Sequence, residues 1–225
     1  MPSAKIHEVV AIKMNKKYGM DEVILRLGTI APDSWRNTPI NSKFHDRFLT
    51  HFYSANIDKM IKYDYEKFYK KYEAYLDNPF YFGYLLHLMV DCYWKTNIDP
   101  IYCSNCDGVI KYRLKNGSYI EDKNYFEYYD NLKLQRCLAS LFNLGRLPLY
   151  MDDIPSFSCE IDEIDLSGLF GNNGTINYVN NNTIGNIEET SIYDVEKIIV
   201  HIDDTCSFIS NELARLKRQE FSIKK

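Results

Sequence analysis

The sequence lacks the features of a membrane protein or a basic nucleic-acid binder. No apolar run reaches the 18 or more residues of a membrane-spanning helix, and the first residues hold no apolar stretch typical of a signal peptide. The 31 acidic and 27 basic residues leave a formal net charge of only −4, which argues against a strongly basic surface. We therefore expect a cytoplasmic protein without a transmembrane segment and without a nucleic-acid partner.

The cysteines do not supply a zinc site. Six are present, and only Cys103 and Cys106 form a CxxC pair, with no second pair and no histidine nearby. A structural zinc ion needs four ligands, so we interpret the spacing as chance within a loop. In the cytoplasm, thiols stay reduced, and we expect no disulfides.

Helical periodicity dominates the chain. Apolar residues recur at helical spacing and predict helices over residues 3–17, 21–28, 41–55, 64–76, 80–95, 126–143 and about 190–219. The segment 80–95 is apolar nearly all round, which is typical of a helix in the middle of a bundle. Gly28 predicts a helix stop, and Pro32 predicts an extended residue before it.

Two segments break this pattern. Residues 99–124 have no helical period and contain Asn116-Gly117, a hairpin signal, and residues 150–187 are predicted to be irregular. We predict an all-α fold: a multi-helix bundle around a metal site, with a small irregular or β-hairpin insertion and a long C-terminal helix. The chain would be a single domain over 1–225, in which 1–99 form the metal-binding core and 100–225 cover it.

The chemistry is concentrated in a few side chains. Only five histidines are present, and His7, His51 and His87 each lie among apolar residues of predicted helices. His87 and Asp91 are four residues apart and share one face of the most apolar helix. No lysine or arginine lies between positions 71 and 95, so the sequence offers no local partner for this buried carboxylate. One such histidine would indicate a hydrogen-bonded core residue, but the set together favours a metal.

The order of these residues resembles a known family. His7, then Gly-Thr-Ile-Ala-Pro-Asp33, then Thr-His51-Phe, then His87-x-x-x-Asp91 is similar to the zinc-dependent phospholipase C family of bacteria. The resemblance implies an all-α fold with a cluster of metal ions in a cleft between helices. It further implies the metal ligands His7, Asp33, His51, His87 and Asp91.

The resemblance covers roughly residues 1–99. The secreted enzymes of that family hold a further metal with two downstream histidines and a glutamate. Here no histidine occurs between His87 and His201, so that site is absent or rebuilt.

These ligands predict a metal-dependent hydrolase of phosphate esters. One zinc ion would be held by Asp33, His51, His87 and Asp91, and a second, weaker one by His7 with Asp91 bridging. Zinc suits imidazole and carboxylate ligands, although iron and manganese do too. Two such ions clamp the attacking and leaving oxygens of a phosphoryl displacement and lower the pKa of water to about 7. We assign Asp33 and Asp91 as catalytic, and expect a small phosphoester or a phospholipid head group as substrate.

Three further residues are weaker candidates for substrate binding. Arg36, just after the Asp33 turn, could face a phosphate, although a solvated loop arginine is the simpler interpretation. Tyr84 could line a pocket, although aromatic residues of a buried helix usually belong to the core. Asp130 could supply a ligand or a contact to a metal-bound histidine, although a helix-surface aspartate is favoured.

Two alternatives stay open. His45-Asp46 is the dipeptide of an HD-type phosphohydrolase acting on nucleotides. His45 and His51 are about 240° apart around a helix, however, so one straight helix cannot aim both at one site, and we prefer His51. A non-catalytic, metal-binding helical interaction protein is the second alternative, which the missing downstream ligands support.

Overall fold

The computed structural model describes residues 2–55, 61–106, 109–121, 130–155 and 157–223. The fold is mostly α-helical, with a small β insertion and a long C-terminal helix, as predicted. The α-helices are α1 (Ala4–Tyr18), α2 (Glu22–Ile30), α3 (Arg47–Thr50), α4 (Tyr65–Tyr72), α5 (Pro79–Tyr93), α6 (Asp99–Tyr102), α7 (Asn131–Leu141), α8 (Thr175–Asn181) and α9 (Val195–Ile223). Short 3-10 segments include Ala31–Asn37 and Glu73–Tyr75, and a π-helical turn spans Trp94–Ile98.

The strands form two small antiparallel sheets. β1 (Tyr53–Ala55) pairs with β2 (Ile61–Tyr63), and β3 (Cys103–Cys106), β4 (Val109–Arg113) and β5 (Tyr119–Ile120) pair in that order. The turn predicted at Asn116-Gly117 joins β4 to β5, and Gly117 adopts the positive φ of 86° that favours glycine. The Cys103–Cys106 pair lies in strand β3, rather than in a loop as the sequence indicated.

Helix α5 is the centre of the bundle, as its all-round apolar character predicted. Its side chains from Phe80 to Asp91 are all buried. The Asn78 side chain caps its first turn by accepting the Phe80 amide at 2.9 Å, and Pro79 occupies the first turn, where a missing N–H costs nothing. It packs against α1, α2, α4 and α9, so residues on several of its faces reach the interior.

The predicted helix stop at Gly28 is wrong, because α2 continues through it to Ile30. Gly28 serves close packing instead. A Cβ at Gly28 would lie 2.2 Å from the Phe80 carbonyl oxygen, and one at Gly83 would lie 2.2 Å from the Leu25 carbonyl oxygen. The two glycines therefore let the α2 and α5 backbones touch.

After α2 the chain keeps turning as a 3-10 helix. Ala31 is helical, with φ −59° and ψ −39°, and is not extended as the following proline predicted. Pro32 is accommodated because it lies in the first turn of the 3-10 segment, where a backbone N–H would have no acceptor within the helix.

The helix predicted over residues 41–55 is also wrong. Only Arg47–Thr50 is α-helical, capped by Asp46, whose side chain accepts the Phe48 amide at 2.8 Å. Phe52 has a φ of 53°, which an α-helix cannot accommodate, and its ring packs 5.2 Å from that of Phe68. Phe48, on α3, is 54% exposed.

The C-terminal half follows the predictions in part. α7 covers the described portion of the helix predicted at 126–143, since residues 126–129 lie outside the described ones. The segment 150–187, predicted to be irregular, contains helix α8. This helix forms because Ile176 and Val179 are buried. Its Asn180 side chain also accepts from the Leu147 amide at 3.0 Å and donates to the Leu147 carbonyl at 2.8 Å.

The helix predicted over about 190–219 is confirmed as α9, whose buried side chains include Ile198, Ile202, Ile209, Leu213 and Leu216. Among the described residues, no helix combines the length and the apolar character needed to cross a bilayer.

A buried charge network fixes α1, the helix that carries His7. The Glu8 carboxylate accepts from Lys5 Nζ at 2.7 Å and from Arg26 Nε at 2.8 Å. The Arg26 guanidinium also donates to the Gly145 carbonyl at 2.6 Å. Both buried cations donate to the one buried carboxylate, and such pairing is the condition for tolerating charges in the interior.

Replacing Gly83 with alanine should lower the free energy of unfolding by about 1–3 kcal/mol, because the new Cβ would force α2 and α5 apart. Gly145→Ala is the matched control, since nothing lies within 4 Å of its added Cβ. Urea unfolding followed by circular dichroism measures both. Equal unfolding midpoints would argue against the glycine contact.

Candidate metal centre

The five side chains predicted as metal ligands come together in one cluster. They are His7 on α1, Asp33 on the 3-10 segment after α2, His51 directly after α3, and His87 and Asp91 on α5. All but Asp33 are at most 2% exposed, whereas the Asp33 side chain is 25% exposed. The cluster is therefore buried, with one side reaching solvent at Asp33.

The facing nitrogen and oxygen atoms are closely spaced. Nε2 of His51 lies 3.3 Å from Nε2 of His87, 3.7 Å from Oδ1 of Asp33 and 3.7 Å from Oδ2 of Asp91. Nε2 of His87 lies 3.8 Å from the same Asp91 oxygen. On the other side, Oδ1 of Asp91 lies 3.4 Å from Nε2 of His7.

A backbone carbonyl determines the tautomer of His87. Its Nδ1 lies 2.7 Å from the carbonyl oxygen of Thr29, and a carbonyl can only accept, so Nδ1 carries the proton. Burial lowers the pKa of His87 to about 3, with a further contribution from His7, so the ring is neutral at neutral pH. Its Nε2 consequently presents a lone pair to the cluster.

Thr50 is the hydrogen-bonding neighbour of the other imidazole. Its hydroxyl lies 2.9 Å from Nδ1 of His51 and 3.4 Å from the Arg47 carbonyl oxygen, and its single proton can serve either contact. Burial lowers the pKa of His51 as well. Nε2 of His51 therefore either donates to the Nε2 lone pair of His87 at 3.3 Å or, with the proton on Nδ1, presents a second lone pair beside it.

Two buried carboxylate oxygens face the same space. Oδ1 of Asp33 and Oδ2 of Asp91 have no hydrogen-bond partner. Burial acts to raise the pKa of both carboxyls, but Arg36 and the histidines outweigh it at Asp33, and the histidines, His7 first, outweigh it at Asp91. Both pKa values lie below the ordinary range, so both groups are ionised at neutral pH.

The spacing around the two imidazoles suits a divalent cation such as zinc. Zinc bonds of 2.0–2.2 Å place neighbouring ligand atoms roughly 3.3–3.6 Å apart, and the separations around His51 and His87 are 3.3–3.8 Å. Among the described residues, His7, His87 and Asp91 form one triplet with ligand atoms within 4.8 Å of one another, and Asp33, His51 and His87 form another.

His7 lies at the edge of the cluster. Its ring stacks on that of His87, with centroids 4.0 Å apart and planes 8° apart. Its Nδ1 is buried without a hydrogen-bond partner. With Asp91 beside it, His7 offers a second, smaller set of ligands.

The tertiary structure supplies a cation that sequence proximity did not. Nη2 of Arg47, on α3, lies 3.9 Å from Oδ2 of Asp91. This distance exceeds the 2.7–2.9 Å of a charge-assisted hydrogen bond. The guanidinium therefore attracts the Asp91 carboxylate electrostatically but forms no hydrogen bond with that oxygen. The sequence analysis did not identify Thr29, Thr50 or Arg47 as neighbours of the cluster. The only indications in the sequence were that Thr50 adjoins His51 and that Arg47 precedes it by four residues.

The weaker substrate-binding candidates lie in different parts of the structure. Arg36 lies beside the centre, with Nε 4.0 Å from Oδ1 of Asp33, and is 51% exposed. Tyr84 is fully buried, so it does not line a solvent-accessible pocket. Its hydroxyl donates to the Thr50 carbonyl and its ring stacks on Phe68 with centroids 4.7 Å apart, which supports the segment carrying His51.

Asp130 is neither a surface residue nor a member of the cluster. It is 1% exposed, and its carboxylate accepts the backbone amides of Ser191, of Ile192 at 3.0 Å and of Tyr193 at 3.3 Å. These bonds fix the segment that leads into α9.

The HD dipeptide lies outside the cluster. Nδ1 of His45 is 3.0 Å from the Thr38 carbonyl oxygen, and Asp46 caps α3. Neither residue belongs to a metal-ligand triplet in the described residues.

Comparison with known proteins adds no relative. No protein-family model, no curated protein and no solved structure matches the chain. The resemblance to the zinc-dependent phospholipase C family stays a prediction from motif order.

Acidification should destabilise the metal-free protein. His51 and His87 have lowered pKa values in the folded state, so between about pH 6.5 and the folded value only the unfolded chain takes up these protons. Each ring then lowers the free energy of unfolding by about 1.4 kcal/mol per pH unit as the pH falls. For His87 this loss continues to about pH 3, and above about pH 6.5 neither ring contributes.

Urea unfolding in the presence of a chelator, at several pH values from 7.5 to 4.5, measures this slope. The His87→Gln variant should have a smaller slope, by about one proton, whereas His45→Gln is the control because His45 lies outside the cluster. A parental slope in His87→Gln would show that this ring is not buried as described.

Proposed function

We propose that this protein is a zinc-dependent hydrolase of phosphate esters, similar to phospholipase C in its chemistry. One observation carries the proposal: a buried oxygen of each of Asp33 and Asp91 has no hydrogen-bond partner, and each lies 3.7 Å from Nε2 of His51. Ordinary polar packing would place a donor beside such oxygens. A divalent cation would bind both oxygens together with the Nε2 lone pair of His87, and His51 would complete its ligand set.

The proposed ligands of the main ion are Asp33, His51, His87 and Asp91. A second, weaker ion would lie beside His7 and share Asp91. Zinc fits the donor set and the spacing, and iron or manganese would also suit imidazole and carboxylate. When bound, such an ion polarises a phosphoryl oxygen and lowers the pKa of water toward 7.

Each residue of the chain has a definite task in this proposal. Thr29 holds His87 in the tautomer that presents Nε2, the usual arrangement of metal-binding histidines. With a metal ion bound, the Thr50 hydroxyl would accept from Nδ1 of His51 in the same way. Asp33, on the solvent-reaching side, is placed to take a proton from the attacking water. Asp91, buried between His7 and the other two histidines, fixes the position of the centre. Asp33 and Asp91 are thus the proposed catalytic residues.

The proposed substrate is a small phosphoester or a phospholipid head group, and the proposed location is the cytoplasm. A nucleotide phosphohydrolase of the HD type would need His45 at the centre, and no observed contact favours it. A non-catalytic protein with a structural metal is the remaining alternative. It is separated from the proposal by turnover, since both would bind zinc.

The His87→Ala variant should lose zinc. Removing one of four ligands is expected to weaken zinc binding roughly 10- to 100-fold or more, and hydrolysis of a chromogenic phosphodiester should fall with it. Zinc content is measured by elemental analysis, zinc affinity by isothermal titration calorimetry, and activity with and without a chelator.

His201→Ala is the matched control, because it removes the same side chain from α9, outside the two triplets. It should retain zinc and activity. Full zinc occupancy in His87→Ala would contradict the ligand assignment. Stoichiometric zinc in the parent without chelator-sensitive turnover would favour the non-catalytic alternative.

A further inference from the structure

We propose that Tyr84 positions His51 for metal binding, acting through Thr50. The inference rests on the proposed function and deepens it, because it names the residues that orient one of the proposed metal ligands. From the sequence, Tyr84 was a candidate for the wall of a substrate pocket. Its contacts make it a positioning residue instead, which acts on the metal centre through a neighbour.

The imidazole of His51 needs contacts from other elements to fix its direction. His51 directly follows α3, a helix of only four residues, and the next residue, Phe52, has a φ of 53°. A helix of one turn has little stability of its own. The position of the His51 ring therefore depends on what packs and bonds around this bend.

Two hydrogen-bonding contacts in series connect His51 to α5. The Tyr84 hydroxyl donates to the Thr50 carbonyl, because a carbonyl can only accept. Thr50 is the last residue of α3, where a carbonyl has no partner within the helix. The Thr50 hydroxyl in turn lies 2.9 Å from Nδ1 of His51. All three residues are 0% exposed, so water does not compete for these contacts.

The Tyr84 ring is itself held in place by aromatic neighbours. It stacks on Phe68, with centroids 4.7 Å apart and planes 3° apart, and it meets the Phe52 ring edge-on at 6.3 Å and 89°. Stacked and edge-to-face pairs are the favoured arrangements of aromatic rings. The ring therefore holds its hydroxyl toward Thr50.

The same helix carries another proposed ligand. His87 follows Tyr84 by three residues on α5, and residues at this spacing are neighbours on a helix surface. Helix α5 thus holds His87 directly and His51 through Tyr84 and Thr50. Since the two Nε2 atoms lie 3.3 Å apart, close to the spacing of neighbouring zinc ligands, one helix sets the separation of two proposed ligands.

Metal binding gives the Thr50 hydroxyl a definite role. When Nε2 of His51 binds a cation, the ring proton lies on Nδ1, so the Thr50 hydroxyl accepts from Nδ1 and donates to the Arg47 carbonyl at 3.4 Å. A hydrogen-bond partner of this kind fixes both the tautomer and the orientation of a metal-binding imidazole.

The test compares the zinc affinity of the full chain with that of four variants by isothermal titration calorimetry. Thr50→Val removes the hydroxyl and should bind zinc roughly 10- to 100-fold more weakly, whereas Thr50→Ser keeps the hydroxyl and should retain most of the affinity. Tyr84→Phe should weaken binding roughly 2- to 10-fold, the value of one net hydrogen bond. Tyr81→Phe is the matched control and should bind as the parent does, because it removes a buried hydroxyl of α5 that accepts the Glu160 amide at 2.8 Å.

Cobalt(II) in place of zinc supplies a second readout. Its visible absorption reports the geometry of the ligands, which a general loss of stability does not change. The bands should shift in Thr50→Val and Tyr84→Phe and should match the parent in Thr50→Ser and Tyr81→Phe.

The opposite results are equally specific. Parental zinc affinity and a parental cobalt spectrum in Tyr84→Phe would overturn the proposal, and so would equal losses in Tyr84→Phe and Tyr81→Phe. Binding by Thr50→Ser as weak as that by Thr50→Val would refute the part assigned to the hydroxyl. If Thr50→Val does not fold, the comparison of the two tyrosine variants decides. A parent that binds no zinc refutes the proposed function itself, whereas unchanged zinc binding in the variants refutes only this inference.

Discussion

The structure depends on the close approach of imidazole and carboxylate groups in its interior. Nε2 of His51 and Nε2 of His87 are 3.3 Å apart. The Thr29 carbonyl lies in the last turn of α2, where carbonyls have no N–H partner within the helix, and it holds the proton of His87 on the far side of the ring. Beside these rings, Asp33 and Asp91 each leave one buried oxygen without a hydrogen-bond partner. Under the proposed function, a cation would bind these oxygens together with the imidazole nitrogens.

Helix packing makes that approach possible. Gly28 and Gly83 allow α2 and α5 to touch, Thr29 follows the first glycine, and His87 lies one turn after the second. The Thr29 carbonyl therefore reaches Nδ1 of His87 at 2.7 Å. The same helix contact therefore affects both packing and the site. Because neither glycine has a Cβ, the two helices come close enough for the Thr29 carbonyl to orient the His87 ring.

The electrostatics of the centre come from elements distant in sequence. Asp91 is deeply buried, and the groups near it are a guanidinium on α3 and imidazoles on α1, α5 and the segment after α3. None of them bonds Oδ2. The interior therefore leaves a carboxylate oxygen without a hydrogen bond, which is the feature on which the proposed metal site rests, while Arg47 and Asp33 are the partly exposed side chains beside it.

The sequence by itself determined the elements whose signals are local. The apolar character of 80–95 predicted the central helix, Asn116-Gly117 predicted the β4–β5 turn, and the spacing of His87 and Asp91 predicted a shared face. The histidines and aspartates on apolar segments identified the five side chains that cluster. Tertiary structure alone decided the rest. Helix α2 continues through Gly28 because Gly83 of α5 packs against it, and the helix expected at 41–55 breaks because Phe52 packs on Phe68. Asp130 is buried because its carboxylate accepts the backbone amides of residues 191–193. Arg47 reaches Asp91 for the same physical reason, since contacts between distant segments leave no trace in the periodicity of either one.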